Sequence, residues 1–91
     1  MTYAAKPDSN KAEIVAFLRN CGRDWEDARR DAGHDGWILD YGKTHLVEIK
    51  HPETRNKLTR AERRMRVICE SLGIPYNIIT SIEEVRLLIG V

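Results

Sequence analysis

Much of what this 91-residue chain can be is limited by what it has little of. It holds only two cysteines, Cys21 and Cys69, with no C-x-x-C spacing, and both fall inside apolar-periodic segments. That argues against a disulfide framework and against zinc, and makes both thiols reduced core groups. No apolar run approaches the roughly 18 residues of a membrane span, and no signal-type segment opens the chain, so a soluble, cytoplasmic protein is expected. The three histidines, His34, His45 and His51, lack ligand spacing on a helix, which disfavours histidine-metal chemistry. Internal repeats and low-complexity tracts are missing as well. Net charge is only +1, so overall charge by itself does not suggest nucleic acid.

What is present is a globular balance, 42% hydrophobic and 32% charged. It fits one domain over 10–91 behind a frayed or disordered lead-in over 1–9. A chain this short buries only about 60–65% of its unfolded surface, so a partner subunit would add stability. Charge is unevenly distributed. Residues 50–66 carry seven Lys/Arg (Lys50, Arg55, Lys57, Arg60, Arg63, Arg64, Arg66) against Glu53 and Glu62, while the flanking segments are net acidic. Such a block suits one phosphate-facing surface or, equally, a solvated helix face.

Asn10 followed by Glu13 resembles a capping box, and Ile14, Val15, Phe17, Leu18 and Cys21 form a helical stripe, predicting a helix over 10–21. Residues 23–31 allow a helix or an edge strand with Trp25 facing inward. Ala32 to Gly36 is turn chemistry. Trp37–Tyr41 and Thr44–Lys50 read as two strands joined at Gly42 into a hairpin. A polar loop over 51–57 leads to Thr59 and Glu62, a second capping box. The helix behind it carries Leu58, Ala61, Met65, Ile68 and Leu72 at steps of three and four and stops at Gly73. Tyr76–Ile79 is a short buried strand, and Ser81 caps a last helix. The order predicts an α/β fold with a mixed sheet flanked by helices.

Side chains on a strand alternate faces, so Leu46, Glu48 and Lys50 share one face and His45, Val47 and Ile49 the other. Asp35, thirteen residues before Glu48, opens the antiparallel partner strand and is brought near Glu48 by hairpin pairing. Two carboxylates and a lysine at the mouth of a sheet suit phosphodiester hydrolysis. Hard oxygens from Asp35 and Glu48, with a main-chain carbonyl such as that of Ile49, can hold Mg²⁺. Lys50 can orient the nucleophile or stabilise developing charge. An ordinary Glu–Lys surface pair is the alternative. At about 100° per residue, Glu13 lies roughly 40° from Phe17 and Glu62 roughly 40° from Leu58, so both can lean towards the sheet or serve only as caps.

His34-Asp35-Gly36 followed by Val47-Glu48-Ile49-Lys50 resembles the PD-(D/E)XK nuclease signature, and the αβββαβ order with a C-terminal helix resembles the restriction-endonuclease-like core. The chain is most similar to small stand-alone VRR-NUC domains of phages, over roughly residues 10–90, including Leu58-Thr59-Arg60-Ala61-Glu62 at a helix start. The resemblance implies a Mg²⁺- or Mn²⁺-dependent DNA endonuclease acting as a homodimer on branched DNA in phage or bacterial replication and repair. Asp35 and Glu48 would be metal ligands, Lys50 the catalytic lysine, Glu13 the acidic residue of the first helix, and Glu62 would stand where the family often has Gln or Glu. It also gives residues 23–31 to the first strand. Three departures stand out: His34 replaces a proline, the glycine-rich approach to Asp35 is reduced to Ala32-Gly33, and the first strand is unusually polar.

Lys57, Arg60, Arg63 and Arg64 then become candidates for holding DNA phosphates without reading bases. The competing classes are a non-catalytic module that binds DNA or a replication partner, and a structural dimer whose charges are merely solvated. Asp35, Glu48 and Lys50 are all present, where a retired site usually loses one.

Overall fold

The computed structural model describes residues 6–91. Of the expected lead-in, residues 1–5 lie outside that range, and α1 (Lys6–Asn20) already includes the remainder. Proline is tolerated in a first helical turn, where its missing N–H has no partner to lose, so Pro7 does not delay the helix. Asn10 is therefore inside α1, and the capping box expected with Glu13 does not form. The Asn10 amide instead donates to the main-chain carbonyl of Lys50 at 3.0 Å.

Four strands form one mixed sheet in the order β1-β2-β3-β4. β1 (Asp24–Asp27), β2 (Gly36–Asp40) and β3 (Lys43–Ile49) run antiparallel in sequence, and β4 (Asn77–Ile79) lies parallel to β3. The first strand is shorter than the span 23–31. Its polar run offers one inward residue, Trp25, and the Ala28 N–H closes the ladder on the Asp35 carbonyl at 2.9 Å. Beyond that bond the chain turns through Gly33. Gly36 permits close pairing of the two strands, because a Cβ there would meet the Glu26 carbonyl oxygen at 2.4 Å.

The parallel return of β4 requires a crossover, and α2 (Arg60–Ser71) provides it. The capping box at its start is formed as predicted: Thr59 accepts from the Glu62 N–H, and the Glu62 carboxylate accepts from the Thr59 N–H at 2.8 Å. The expected polar loop before it contains a short 3-10 helix, Pro52–Thr54. α3 (Ile82–Ile89) starts at Ser81, whose hydroxyl accepts from the Glu84 N–H at 3.3 Å. Ser81→Ala is expected to cost about 1 kcal/mol in a denaturant titration.

Register assigns the two faces of the sheet. Trp25, Ile38, Val47 and Ile79 share the face packed by Ile14 and Leu18 of α1 and Val85 and Ile89 of α3. Leu46, Glu48 and Lys50 point to the other side, where α2 lies. Cys69 is buried and Cys21 half-buried, both as free thiols. Among the described residues no helix is long and apolar enough to cross a membrane.

Candidate active site

Pairing of Gly36 with Val47 puts Asp35 and Glu48 at the same end of the hairpin. The Asp35 N–H donates to the Val47 carbonyl at 3.0 Å, and its carboxylate accepts from the Ile49 N–H at 2.6 Å. Asp35 is thus fixed by main chain on both sides. Burial raises its pKa above the usual carboxylate value, outweighing the Ile49 N–H that favours the ionised form.

Glu48 is 4% exposed on the penultimate position of β3. Burial, then the charges of Asp35 and Glu62, push its pKa up to about 8, against the opposing influence of Lys50. A hydrogen bond with Glu62 also favours the protonated form. Lys50 lies just past the strand. Its Nζ is 2.8 Å from Glu62 and 3.5 Å from Glu48. Burial works against the ammonium, but Glu62 and Glu48 together overcome it and raise the Lys50 pKa. Glu62 moves the opposite way: burial would raise it, yet Lys50 and the Thr59 N–H hold it below the ordinary glutamate value. One carboxyl group is therefore poised to be protonated beside one that stays ionised, with a cation touching both.

Four of the five proposed catalytic residues, Asp35, Glu48, Lys50 and Glu62, come together. Glu13 does not join them: it is exposed and makes no hydrogen bond or ion pair among the described residues. The buried line of α1 is centred on Ile14 and Leu18, and Phe17, the residue used to place Glu13, is itself only partly buried. His45 faces away from Glu48 as expected, 3.1 Å from Asp40, which also accepts from Arg23.

Three further neighbours surround the cluster: Tyr76 and Lys11 carry no obvious signal in the sequence, and His34 is marked there only by standing in place of a proline. Tyr76 donates its hydroxyl proton to the Gly33 carbonyl at 2.7 Å, and burial with the nearby carboxylates raises its pKa, keeping it a donor. His34 is buried, with Nδ1 3.0 Å from the Gly36 carbonyl and its ring edge-on to Trp37, so it pins the loop that carries Asp35. Lys11 pairs with Asp27 at 2.8 Å, and its charge partly offsets burial at Asp35.

The proposed DNA contacts Lys57, Arg60, Arg63 and Arg64 are all exposed. Arg63 donates to the Leu58 carbonyl at 2.7 Å and, with Lys57 and Val67, borders an open groove of about 600 Å³. Arg66 is paired with Glu70, and Arg55 with Glu84, so two members of the cationic block have carboxylate partners.

Asp35 and Glu48 offer hard oxygens suited to Mg²⁺ or Mn²⁺, and the Ile49 carbonyl is adjacent in sequence. A glutamate whose pKa is raised by burial and by neighbouring carboxylates, as Glu48 is by Asp35 and Glu62, is the electrostatic setting a divalent cation relieves. Among the described residues, however, no group of three or more His, Cys, Asp or Glu side chains is arranged to hold a metal ion. The donor set therefore fits a cation only with main-chain and solvent oxygens completing it. No protein-family model, curated protein or solved structure matches this chain.

Proposed function

We propose that this chain is a metal-dependent DNA endonuclease of the PD-(D/E)XK type, with a restriction-endonuclease-like core of the VRR-NUC kind. The observation that supports it is the cluster of Asp35, Glu48, Lys50 and Glu62 at the end of β3, three of them largely buried in a place where the sheet needs no charge. Burying ionisable groups costs several kcal/mol, which a purely structural strand end gains nothing by spending.

Asp35, Glu48 and the Ile49 carbonyl would hold Mg²⁺ or Mn²⁺, which when bound would lower the pKa of a water and offset charge on the phosphoryl oxygens. Lys50 presents its ammonium to charge developing at the scissile phosphate and orients the attacking water. Glu62 holds Lys50 in place and keeps it charged. Water adds to phosphorus and gives up one proton to solvent, the bond to the leaving sugar oxygen breaks, and that oxygen takes up a proton from solvent.

Lys57, just before α2, and Arg60, Arg63 and Arg64 on its exposed side hold the phosphate backbone, which makes binding tolerant of sequence and directed by DNA shape. Branched DNA is the preferred substrate, and a homodimer presents two sites for paired cuts. The setting is replication or repair in the cytoplasm of a bacterial or phage-infected cell.

The test is incubation with labelled four-way junction, flap and linear duplex DNA in Mg²⁺, Mn²⁺ or EDTA. Cutting that needs the metal, with binding that weakens steeply between low and moderate salt, is the expected result. The incomplete set of side-chain ligands favours a second reading, a non-catalytic module that binds DNA or a replication partner. Binding without cutting under either ion would select it.

A further inference from the structure

Lys50 stands one residue beyond the end of β3, where the strand no longer fixes its main chain. Two contacts take over. Its N–H donates to the Ile79 carbonyl at 2.9 Å, and its carbonyl accepts from the Asn10 side chain at 3.0 Å. Asn10 belongs to α1, forty residues earlier in the chain. Asparagine is a poor choice inside a helix, because its amide competes for backbone groups. Here it is partly buried and aimed at a carbonyl of another element, so helix formation does not account for it.

The four groups around Lys50 come from four places. β4 holds its N–H, α1 its carbonyl, and α2 and β3 supply the carboxylates that meet its ammonium. Without the Asn10 bond, the Lys50 main chain keeps one anchor, and the direction of its side chain is free to drift with the following His51-Pro52 segment.

We infer that Asn10 is a positioning residue, which sets the direction of the Lys50 ammonium by holding the Lys50 carbonyl. The inference rests on the nuclease reading for its effect on rate, but not for its effect on Lys50 itself. Asn10→Asp keeps the shape and loses the donor, and Asn10→Ala has the better helix propensity, so both keep α1.

The first readout is acylation of Lys50 by an amine-reactive ester, followed by peptide mass spectrometry, with exposed Lys43 at the start of β3 as the internal reference. Both variants are expected to label Lys50 severalfold faster than the wild type, with Lys43 unchanged. The second readout is DNA cleavage with Mn²⁺, where kcat falls roughly 10- to 100-fold with KM little changed. Asn10→Gln, which retains a donor amide, is expected to recover part of both.

Wild-type labelling of Lys50 in Asn10→Asp and Asn10→Ala overturns the inference, as does a loss of thermal stability with no change in labelling. If the wild type cuts no DNA, the nuclease reading fails while the labelling alone still decides the role of Asn10.

Discussion

Lys50→Ala is expected to cut DNA about 10²–10⁴-fold more slowly than the wild type under single-turnover conditions, with its affinity for DNA little changed. The ammonium sits between Glu48 and Glu62 and is, among the described residues, the one cation within 4 Å of both. It is largely buried, whereas Lys57, Arg60, Arg63 and Arg64 meet solvent, so in the proposed reaction losing it removes charge from the reacting phosphate and not from the binding surface. Lys50→Arg is not expected to rescue the rate, because a planar fork cannot occupy the compact position of an ammonium held by two carboxylates. Glu62→Gln separates two duties of one side chain. Glutamine can still accept from the Thr59 N–H and complete the capping box, but it cannot pair with Lys50 as a charge. Its rate should therefore fall while its helix remains. A Lys50→Ala protein that cuts at the wild-type rate would remove Lys50 from the reaction and with it the PD-(D/E)XK reading.

How much of this arrangement is legible in the sequence depends on how far apart the partners are along the chain. The Thr59–Glu62 box, the Ser81 cap and the hairpin about Gly42 are set by residues within a few positions of one another, and all three form as local chemistry predicts. The approach of Asp35 to Glu48 is also readable, because alternation on paired strands leaves little choice once the hairpin is recognised. The contacts that finish the site are different. Asn10 with Lys50, Tyr76 with Gly33 and Arg55 with Glu84 join residues 29 to 43 positions apart. Nothing in their own neighbourhoods announces the partner. Asn10 even misleads, since a helix-start residue three positions before a glutamate has a local explanation that Pro7 and the longer helix take away.

Glu13 and Glu62 show the same limit on a helix surface. Each lies roughly 40° from an apolar residue, and the wheel treats them alike. Glu62 turns inward because the capping box places it in the first turn of α2, which is the turn facing Lys50. Glu13 turns outward because Ile14 and Leu18, not Phe17, mark the buried side of α1. The direction of a helix face is a tertiary fact, and the apolar pattern bounds it without fixing the flanks.

Without divalent metal, the protein is expected to lose stability as pH rises from about 5 to about 8. Glu48 has a pKa near 4.5 when unfolded and about 8 in the fold, so the folded chain binds the extra proton throughout that interval. Stability from this group is complete below the unfolded value and is lost as pH passes through the folded one. The shift corresponds to a loss on the order of 3–5 kcal/mol, and Asp35, raised by its own burial, acts in the same direction. Glu62 works in the opposite window: its lowered pKa contributes stability that disappears as pH falls below the ordinary glutamate range. On these three groups, metal-free stability is greatest near the unfolded glutamate value and falls above it. At the proposed metal site Mg²⁺ or Mn²⁺ needs Glu48 ionised, so binding is expected to release a proton and to stabilise the fold more at pH 8 than at pH 6. Thermal melts in EDTA and in millimolar metal across this range measure both effects. Glu48→Gln, which keeps the shape and cannot ionise, is expected to flatten the EDTA profile and abolish the response to metal. A Tm in EDTA that rises from pH 5 to pH 8 would mean that Glu48 is already ionised in the fold, and the electrostatic strain that a cation relieves would not exist.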